Sequence, residues 1–418
     1  DSLEVDYNLN PGFYLEISKK FKKFYMINIS QIIKNNNKKK TYRKEFLKKI
    51  PKNIKLLNFD SFLDFKNYLN NKKGHKFIAF SSLGRTFSFF RIHYLLKKLK
   101  FKLFIFHNLG LIATKKHAHE FNLIEYFKKQ FDIFFRRKFT YFFYRLFILL
   151  NLFPRIEIFF ESSRKNVNIL NRYPTKKLNK LFPKINLSVY KSIYHINSRS
   201  YDELITKKQL STQSEIVFLD SGFDHPDRIR RSRAATEAER EKYYSMIKSI
   251  LLQLKKFFGK RIIFTLHPGT DEKIVRKYLK EFKLVKYKTR SHILKAFLVV
   301  FHESSSALDA VFLNKKMIVL QSKTMGKYYE IRNKVYPRVL GIPAYKMENF
   351  IKIDKKKLVK DISRPNKKYI NYIKDYLVKD LKNFNYLNNR DKFKKNKTII
   401  LNQRGSIEIL NKITNDYF

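Results

Sequence analysis

Between Arg261 and Leu320 the chain alternates short β-forming runs with helix-period segments: RIIFTL, then LVKY, FLVVF and MIVL, each separated by a stretch that repeats like a helix. Few folds accept such a pattern. Strands joined through helices run parallel in one sheet, with right-handed crossovers. Two of the runs stop abruptly in polar clusters, RIIFTL at His267-Pro268-Gly269-Thr270 and FLVVF at His302-Glu303-Ser304-Ser305-Ser306. Both clusters therefore belong at carboxyl ends of parallel strands, where open α/β sheets bind ligands. A serine-led helix start offers N–H groups and the positive end of a dipole, a combination suited to phosphate.

The alternation extends upstream and downstream. Strands are expected at 216–219, 261–266, 284–287, 297–301 and 317–320, with helices at 237–258, 271–281, 291–296 and 305–313. The first helix carries Tyr243, Ile247, Ile250, Leu254 and Phe257 at alternating spacings of four and three, one buried stripe, and Gly259 closes it. At 418 residues the chain has room for two cores. The expected organisation is a first Rossmann-like domain over 1–200, a connection at 201–214, a second Rossmann-like domain over 215–385 and a helical tail over 386–418. The last segment, from about 355, either caps the second sheet or crosses back to the first domain.

In the first half, a helix at 14–24 precedes a strand at 24–30. After a helix at 59–69, a strand at 77–80, an amphipathic helix at 87–99 and a strand at 102–106 form a βαβ unit, and a further strand is expected at 156–160. Ser82, Gly84 and Arg85 follow the first of those strands and His107 the second, on one sheet edge. Residues 131–153 (FDIFFRRKFTYFFYRLFILLNLF) are densely aromatic. A spanning helix needs about 20 nearly uncharged residues, and Arg145 interrupts the run. Two readings stand: an interfacial helix on an anionic membrane, or a core helix with snorkelling arginines.

Lys and Arg number 90 against 35 Asp and Glu, a formal net charge of +55. Such an excess fits nucleic acid, anionic lipid or acidic polysaccharide. The lysines are dispersed, however, and Lys, Asn, Ile and Phe are abundant throughout, as a biased genome composition produces. Cysteine is absent, which excludes disulfides and thiolate metal sites and fits a reducing compartment. No signal peptide is legible, and a segment is expected to precede Asp1. The phosphate-binding G-x-x-x-x-G-K-[ST] loop, G-x-G-x-x-G, H-E-x-x-H and G-x-S-x-G are all missing.

Each candidate site residue has two readings. His267, held in a turn by Pro268 with Gly269 permitting close approach, either bonds a phosphate oxygen or satisfies loop carbonyls. One of Ser304, Ser305 and Ser306 would serve as an N-cap; three exceed that need. Glu303 can accept ribose hydroxyls, and His302 belongs to core or site. Asp220, heading Asp220-Ser221-Gly222 after the first strand of the second domain, either takes a proton from an acceptor hydroxyl or caps a turn. His107 is either a base contributed by the first domain or a polar loop residue.

On these residues the second half, over about 215–345, resembles the nucleotide-binding domain of GT-B glycosyltransferases that build bacterial surface polysaccharides. The likeness is to sialyl-, polysialyl- and Kdo-transferase-like capsule enzymes, with their His-Pro motif at His267-Pro268 and their Ser-Ser motif at Ser304 to Ser306. SSALDAVFLNKKMIVL is also similar to CDP-glycerol glycerophosphotransferases and UDP-sugar 2-epimerases. The resemblance implies a GT-B arrangement of two domains facing a cleft, with His267, Ser304 and Ser305 on the phosphate of a nucleotide-sugar, CMP- or UDP-linked. It implies no metal and no bound cofactor. The acceptor would be a glycan or lipid-linked glycan, the location cytoplasmic or peripheral on the inner face of the plasma membrane, with no nucleic acid partner. The family's acidic D/E-D/E-G motif has no clear match, Asp220-Ser221-Gly222 being the nearest string.

Overall fold

A computed structural model describes residues 11–21, 24–29, 32, 44–72, 78–80, 87–107, 139–161, 190–196, 213–223, 235–326, 333–363, 367–376, 408–409 and 411–413. The chain is α/β and divides into two compact units, each built on parallel sheet. The first unit takes its elements from the first half of the chain, and the second from 213–376.

In the first unit the elements are α1 (Pro11–Lys20), β1 (Phe24–Asn28), α2 (Lys44–Lys49), β2 (Ile54–Asn58), α3 (Phe62–Asn70) and β3 (Ile78–Phe80). Then come α4 (Phe90–Lys98, entered through a 3₁₀ turn at Phe87–Phe89), β4 (Lys102–His107), α5 (Thr140–Leu149), β5 (Ile156–Glu161) and β6 (Tyr190–His195). Strands β3, β4, β5 and β6 pair in parallel in chain order, and β1 pairs β2. The βαβ unit expected at 77–106 is present as β3–α4–β4. Strands β2 and β6 are additional to the expected set, and α1 stops at Lys20, short of the expected 24, so that Phe24 opens β1. Helix α4 buries Ile92, Leu95 and Leu96, and α5 buries Tyr144 and Ile148, in one cluster with Leu103 and Ile156. Arg145 is buried, not snorkelling.

On the other face, Phe104, Ile158 and Phe160 pack with Ile17 and with Ile409 and Ile413 from the end of the chain. The described part of the tail therefore returns to the first unit.

In the second unit, β7 (Glu215–Leu219) is followed by α6 (Glu237–Phe258), β8 (Arg261–Leu266), α7 (Glu272–Tyr278), β9 (Lys283–Lys286) and α8 (Thr289–Lys295). The rest is β10 (Ala296–Phe301), α9 (Ala307–Phe312), β11 (Lys316–Gln321), α10 (Val335–Leu340), β12 (Ala344–Lys346), α11 (Lys355–Ser363) and α12 (Lys367–Tyr376). All six strands are parallel, in the order β12-β11-β10-β7-β8-β9. Renumbered from the first strand of the unit, this is 6-5-4-1-2-3, the doubly wound Rossmann order, whose direction reverses between β7 and β10.

Helix α6 begins in a full capping box. Thr236 accepts from the Glu239 N–H while the Glu239 side chain accepts from the Thr236 N–H, at 3.2 and 2.9 Å. It ends at Gly259, whose φ of 62° few other residues adopt without strain. Its buried stripe of Tyr243, Ile247, Ile250 and Leu254 meets Phe218 and Phe264, which stack at 4.7 Å between centroids.

At the amino edge of this sheet Glu215 is fully buried, bonded to Arg261 and at 2.7 Å from His292 Nδ1. Burial pushes its carboxyl up, but the hydrogen bonds and charges of His292 and Arg261 outweigh that and hold it below the ordinary carboxylate range. A carboxylate of depressed pKa contributes stability above its unfolded pKa and loses it as the pH falls through the folded one. Glu215→Gln should therefore cost about 2 kcal/mol at neutral pH, and its deficit against wild type should shrink on acidification below the carboxylate range. Thermal denaturation of both proteins at neutral and acidic pH checks this.

Candidate functional site

The doubly wound order selects one place on the second unit. Adjacent strands β10, β7 and β8 end side by side, about 4.8 Å apart, and β7 and β10 flank the point where the winding reverses. Their following loops begin with Asp220, His267 and His302. Side-chain hydrogen bonds join all three loops.

Asp220 is 5% exposed. Its Oδ1 accepts from the Gly222 N–H at 2.9 Å, the closure of an Asx-turn. Gly222 follows with φ at 69°, in the left-handed region that favours glycine. The Oδ2 accepts from the His267 N–H at 3.0 Å and the Thr270 hydroxyl at 2.8 Å. One carboxylate thus shapes its own turn and ties down both ends of His267-Pro268-Gly269-Thr270. Of the two roles open to it in the sequence, the geometry displays the turn cap, extended to a neighbouring loop.

Across the reversal point, Ser221 Oγ accepts from the Glu303 N–H at 3.0 Å. The serine keeps its own proton to donate. His267 is half-buried, and its Nδ1 accepts from the Gly269 N–H at 3.1 Å. That bond selects the neutral tautomer carrying hydrogen on Nε2. The imidazole is therefore set as an Nε2–H donor, with Pro268 and Gly269 forming the turn that orients it.

The serine run differs from its expected form. Helix α9 begins at Ala307, not Ser305, because Ala307, Leu308 and Asp309 donate to the carbonyls three residues back, Ser304, Ser305 and Ser306, at 3.1 to 3.2 Å. Ser304 Oγ accepts from the Ser306 N–H at 3.2 Å, and Ser306, the residue before the helix, makes no side-chain cap bond. The serines form a tight turn on the ligand-binding edge, with Ser304 and Ser306 half-buried and Ser305 exposed.

His302 belongs to the core. It is fully buried, lies 2.6 Å from the Leu320 carbonyl through Nδ1 and packs edge-on against Phe218. Burial pushes its pKa down to about 4, only partly opposed by the Leu320 carbonyl, so it is neutral at physiological pH. Glu303 is half-buried beside it.

Four supporting residues escape a sequence reading. Lys286 Nζ, at the end of β9, donates to the Thr270 carbonyl at 2.8 Å and braces the His-Pro loop from its far side. Tyr336 donates to the Ser304 carbonyl at 3.3 Å. Arg290 and Asp309 pair at 2.9 Å with both side chains largely buried, anchoring α9 behind the serine turn. The lysine is camouflaged by a lysine-rich chain, and the other contacts join residues 19 or more apart in sequence.

His107 ends β4 of the first unit, its Cα in register with Glu161. Ser82, Gly84 and Arg85 lie outside the described residues. Among the described residues no group of three His, Cys, Asp or Glu is placed to hold a metal ion, and no helix is long and apolar enough to cross a membrane.

The strand order and the joined loops define a doubly wound Rossmann-like unit with one candidate ligand edge. No family model matches the chain, and no curated protein matches it. Among solved structures it is similar to the UDP-GlcNAc 2-epimerase of Methanocaldococcus jannaschii, at 13% identity over 97% of this chain and 96% of that one, with a TM-score of 0.45. It is also similar to the wall teichoic acid polymerase TagF, at 13% identity over 88% of this chain and 80% of that one, TM-score 0.43. A third is the UDP-GlcNAc 2-epimerase of Neisseria meningitidis bound to UDP-GlcNAc, at 12% identity over 98% and 97%, TM-score 0.43.

The Asp220 bonds are separable by substitution. Asp220→Ala removes three bonds to one buried carboxylate and should destabilise by about 3 kcal/mol, whereas Asp220→Asn, retaining one carbonyl oxygen for His267 and Thr270, should cost about 1 kcal/mol. Denaturant titration, with amide exchange at His267 and Thr270, measures both.

Proposed function

We propose that the protein is a GT-B-type glycosyltransferase that moves a sugar from a nucleotide-activated donor to a surface glycan. The observation that carries this reading is the joined edge of the second unit. There the His267 Nε2–H, the Ser221 hydroxyl and the Ser304–Ser306 turn share the reversal point of a Rossmann sheet, with Asp220 holding the loops. A nucleotide diphosphate or monophosphate is what such an edge accommodates.

In this reading an acceptor hydroxyl attacks the anomeric carbon as the bond from that carbon to the phosphate oxygen breaks. The departing nucleotide gains negative charge on that oxygen. His267 Nε2–H and the hydroxyls of Ser304 and Ser305 meet that charge as preorganised donors, the larger catalytic contribution. The acceptor's proton needs a base. Asp220 already accepts three hydrogen bonds within its own unit, which leaves His107, the other base read from the sequence, as the candidate. The donor would be CMP- or UDP-linked and the acceptor a glycan or lipid-linked glycan at the cytoplasmic face of the membrane.

His267→Ala should lower the turnover number roughly 100- to 1000-fold, the effect of deleting one preorganised donor, while leaving the melting temperature nearly unchanged because the Asp220 bond uses the backbone N–H of that residue. Nucleotide release from CMP-, CDP-, UDP- and GDP-linked donors, followed with and without acceptor, gives the measurement. Full activity of His267→Ala would overturn the assignment, and donor consumption without acceptor would favour a sugar 2-epimerase on the same edge.

A further inference from the structure

Helix α5 has two apolar stripes where a helix on the surface of a globular core needs one. Its inner stripe, Tyr144 and Ile148, is buried in the first unit. A second line runs through Phe139, Phe142, Leu146 and Leu149, spaced three, four and three residues apart, and so lies along one face. That face is open: Phe142 is 53% exposed, and Leu150, in the turn that follows, 58%.

Helix α4 packs alongside and extends the surface. Phe87, at its entry, lies 6.5 Å from the Phe139 ring and 6.3 Å from the Phe143 ring, and is itself 51% exposed. From Phe87 the outer line of α4 continues through Arg91, Tyr94 and Lys98, all exposed. The exposed rings of two helices thus form one apolar ridge, not a scatter of single residues.

The two segments that carry the ridge hold charge of one sign. Segments 87–100 and 139–156 contain no Asp or Glu. Lys97 Nζ donates to Asn151 Oδ1 at 2.6 Å, which sets a cation beside the turn bearing Leu150. The Arg91 guanidinium lies 4.3 Å from the Phe62 ring centroid at the flank. A second copy of the chain would bring two ridges with no acidic residue of their own together against like charge. A nucleic acid would engage the cations and leave the leucines wet.

We propose that this face of the first unit seats on an anionic lipid bilayer, with Phe87, Phe139, Phe142, Leu149 and Leu150 entering the interface while Arg91, Lys97 and Lys98 meet the headgroups. Aromatic and leucine side chains supply the insertion, and cations near the surface add electrostatic attraction within a Debye length. At 10 residues α5 is far too short to span. The inner stripe of α5 is that of a core helix, and the proposal gives the interfacial role to the opposite side of the same helix. The inference stands apart from the transferase reading, because none of these residues belongs to the ligand edge.

The chain contains no tryptophan, so Phe142→Trp installs a single emitter on the ridge. Vesicles of equal parts phosphatidylcholine and phosphatidylglycerol should shift its emission to the blue, and brominated acyl chains should quench it. Vesicles of phosphatidylcholine alone should do neither. Phe142→Ser combined with Leu150→Ser should lower vesicle partitioning about tenfold or more, whereas Leu252→Ser, an exposed leucine on α6 of the second unit, should leave it unchanged. Partitioning with a water-like emission from Phe142→Trp, or no partitioning at all, would overturn the proposal. So would a blue shift without vesicles that grows with protein concentration, which would assign the ridge to a second copy. Nucleotide-induced thermal shifts of the same variants report separately on the ligand edge.

Discussion

The arrangement of the candidate site depends on the Asp220 carboxylate. A buried carboxylate is costly unless its oxygens are satisfied, and here the donors that satisfy it come from two successive strand-end loops. The cost of burial and the shape of the site are thus one interaction. Because the His267 backbone supplies one of the donors, the imidazole is positioned through the main chain. The Ser221–Glu303 bond then adds the β10 loop across the reversal point. What results is a preorganised edge whose hydrogen bonds are largely satisfied within the second unit.

The second unit was legible in the sequence where local signals agree. The bounds of α6 and β8 match their expected ranges because a capping box, a terminal glycine and an uninterrupted apolar run each mark an end. The first unit gave weaker signals. In β2 (IKLLN) only the first residue is buried, and β6 (YKSIYH) exposes Lys191 and Ser192, so neither strand has the apolar run that advertises a buried one. Helix α9 starts two residues later than its serine run suggests, because Ser-Ser-Ser satisfies a tight turn as well as a helix cap.

The site was legible as residue types but not as roles. Asp-x-Gly reads as a turn at any position in a chain; only the sheet order reveals that the same aspartate reaches the His-Pro loop 47 residues away. His302 and His267 both follow strands, yet one is a core residue held neutral by burial and the other a half-buried loop residue with a selected tautomer. The charge excess has a similar duality. With cations so numerous, a carboxylate collects more than one: Lys277 and Arg240, with the Tyr278 hydroxyl, surround exposed Glu237, and their hydrogen bonds hold its carboxyl down to about 2. Against that background the informative feature is a pair of packed segments, 87–100 and 139–156, that contain no acidic residue.

The return of the chain end to the first unit has a consequence for biosynthesis. Ile409 and Ile413 pack with Phe104, Ile158, Phe160 and Ile196, so a core begun by the first half of the chain is finished by residues that leave the ribosome about 200 residues later. At about 5–20 residues per second, some 200 intervening residues correspond to roughly 10–40 s of synthesis. Through that interval apolar surface on one face of the first sheet lacks its final cover, while the second unit, whose core is drawn from 216–362, can already close. The unit encoded first is completed second, and a nascent chain of this protein has reason to engage a chaperone through its amino-terminal half.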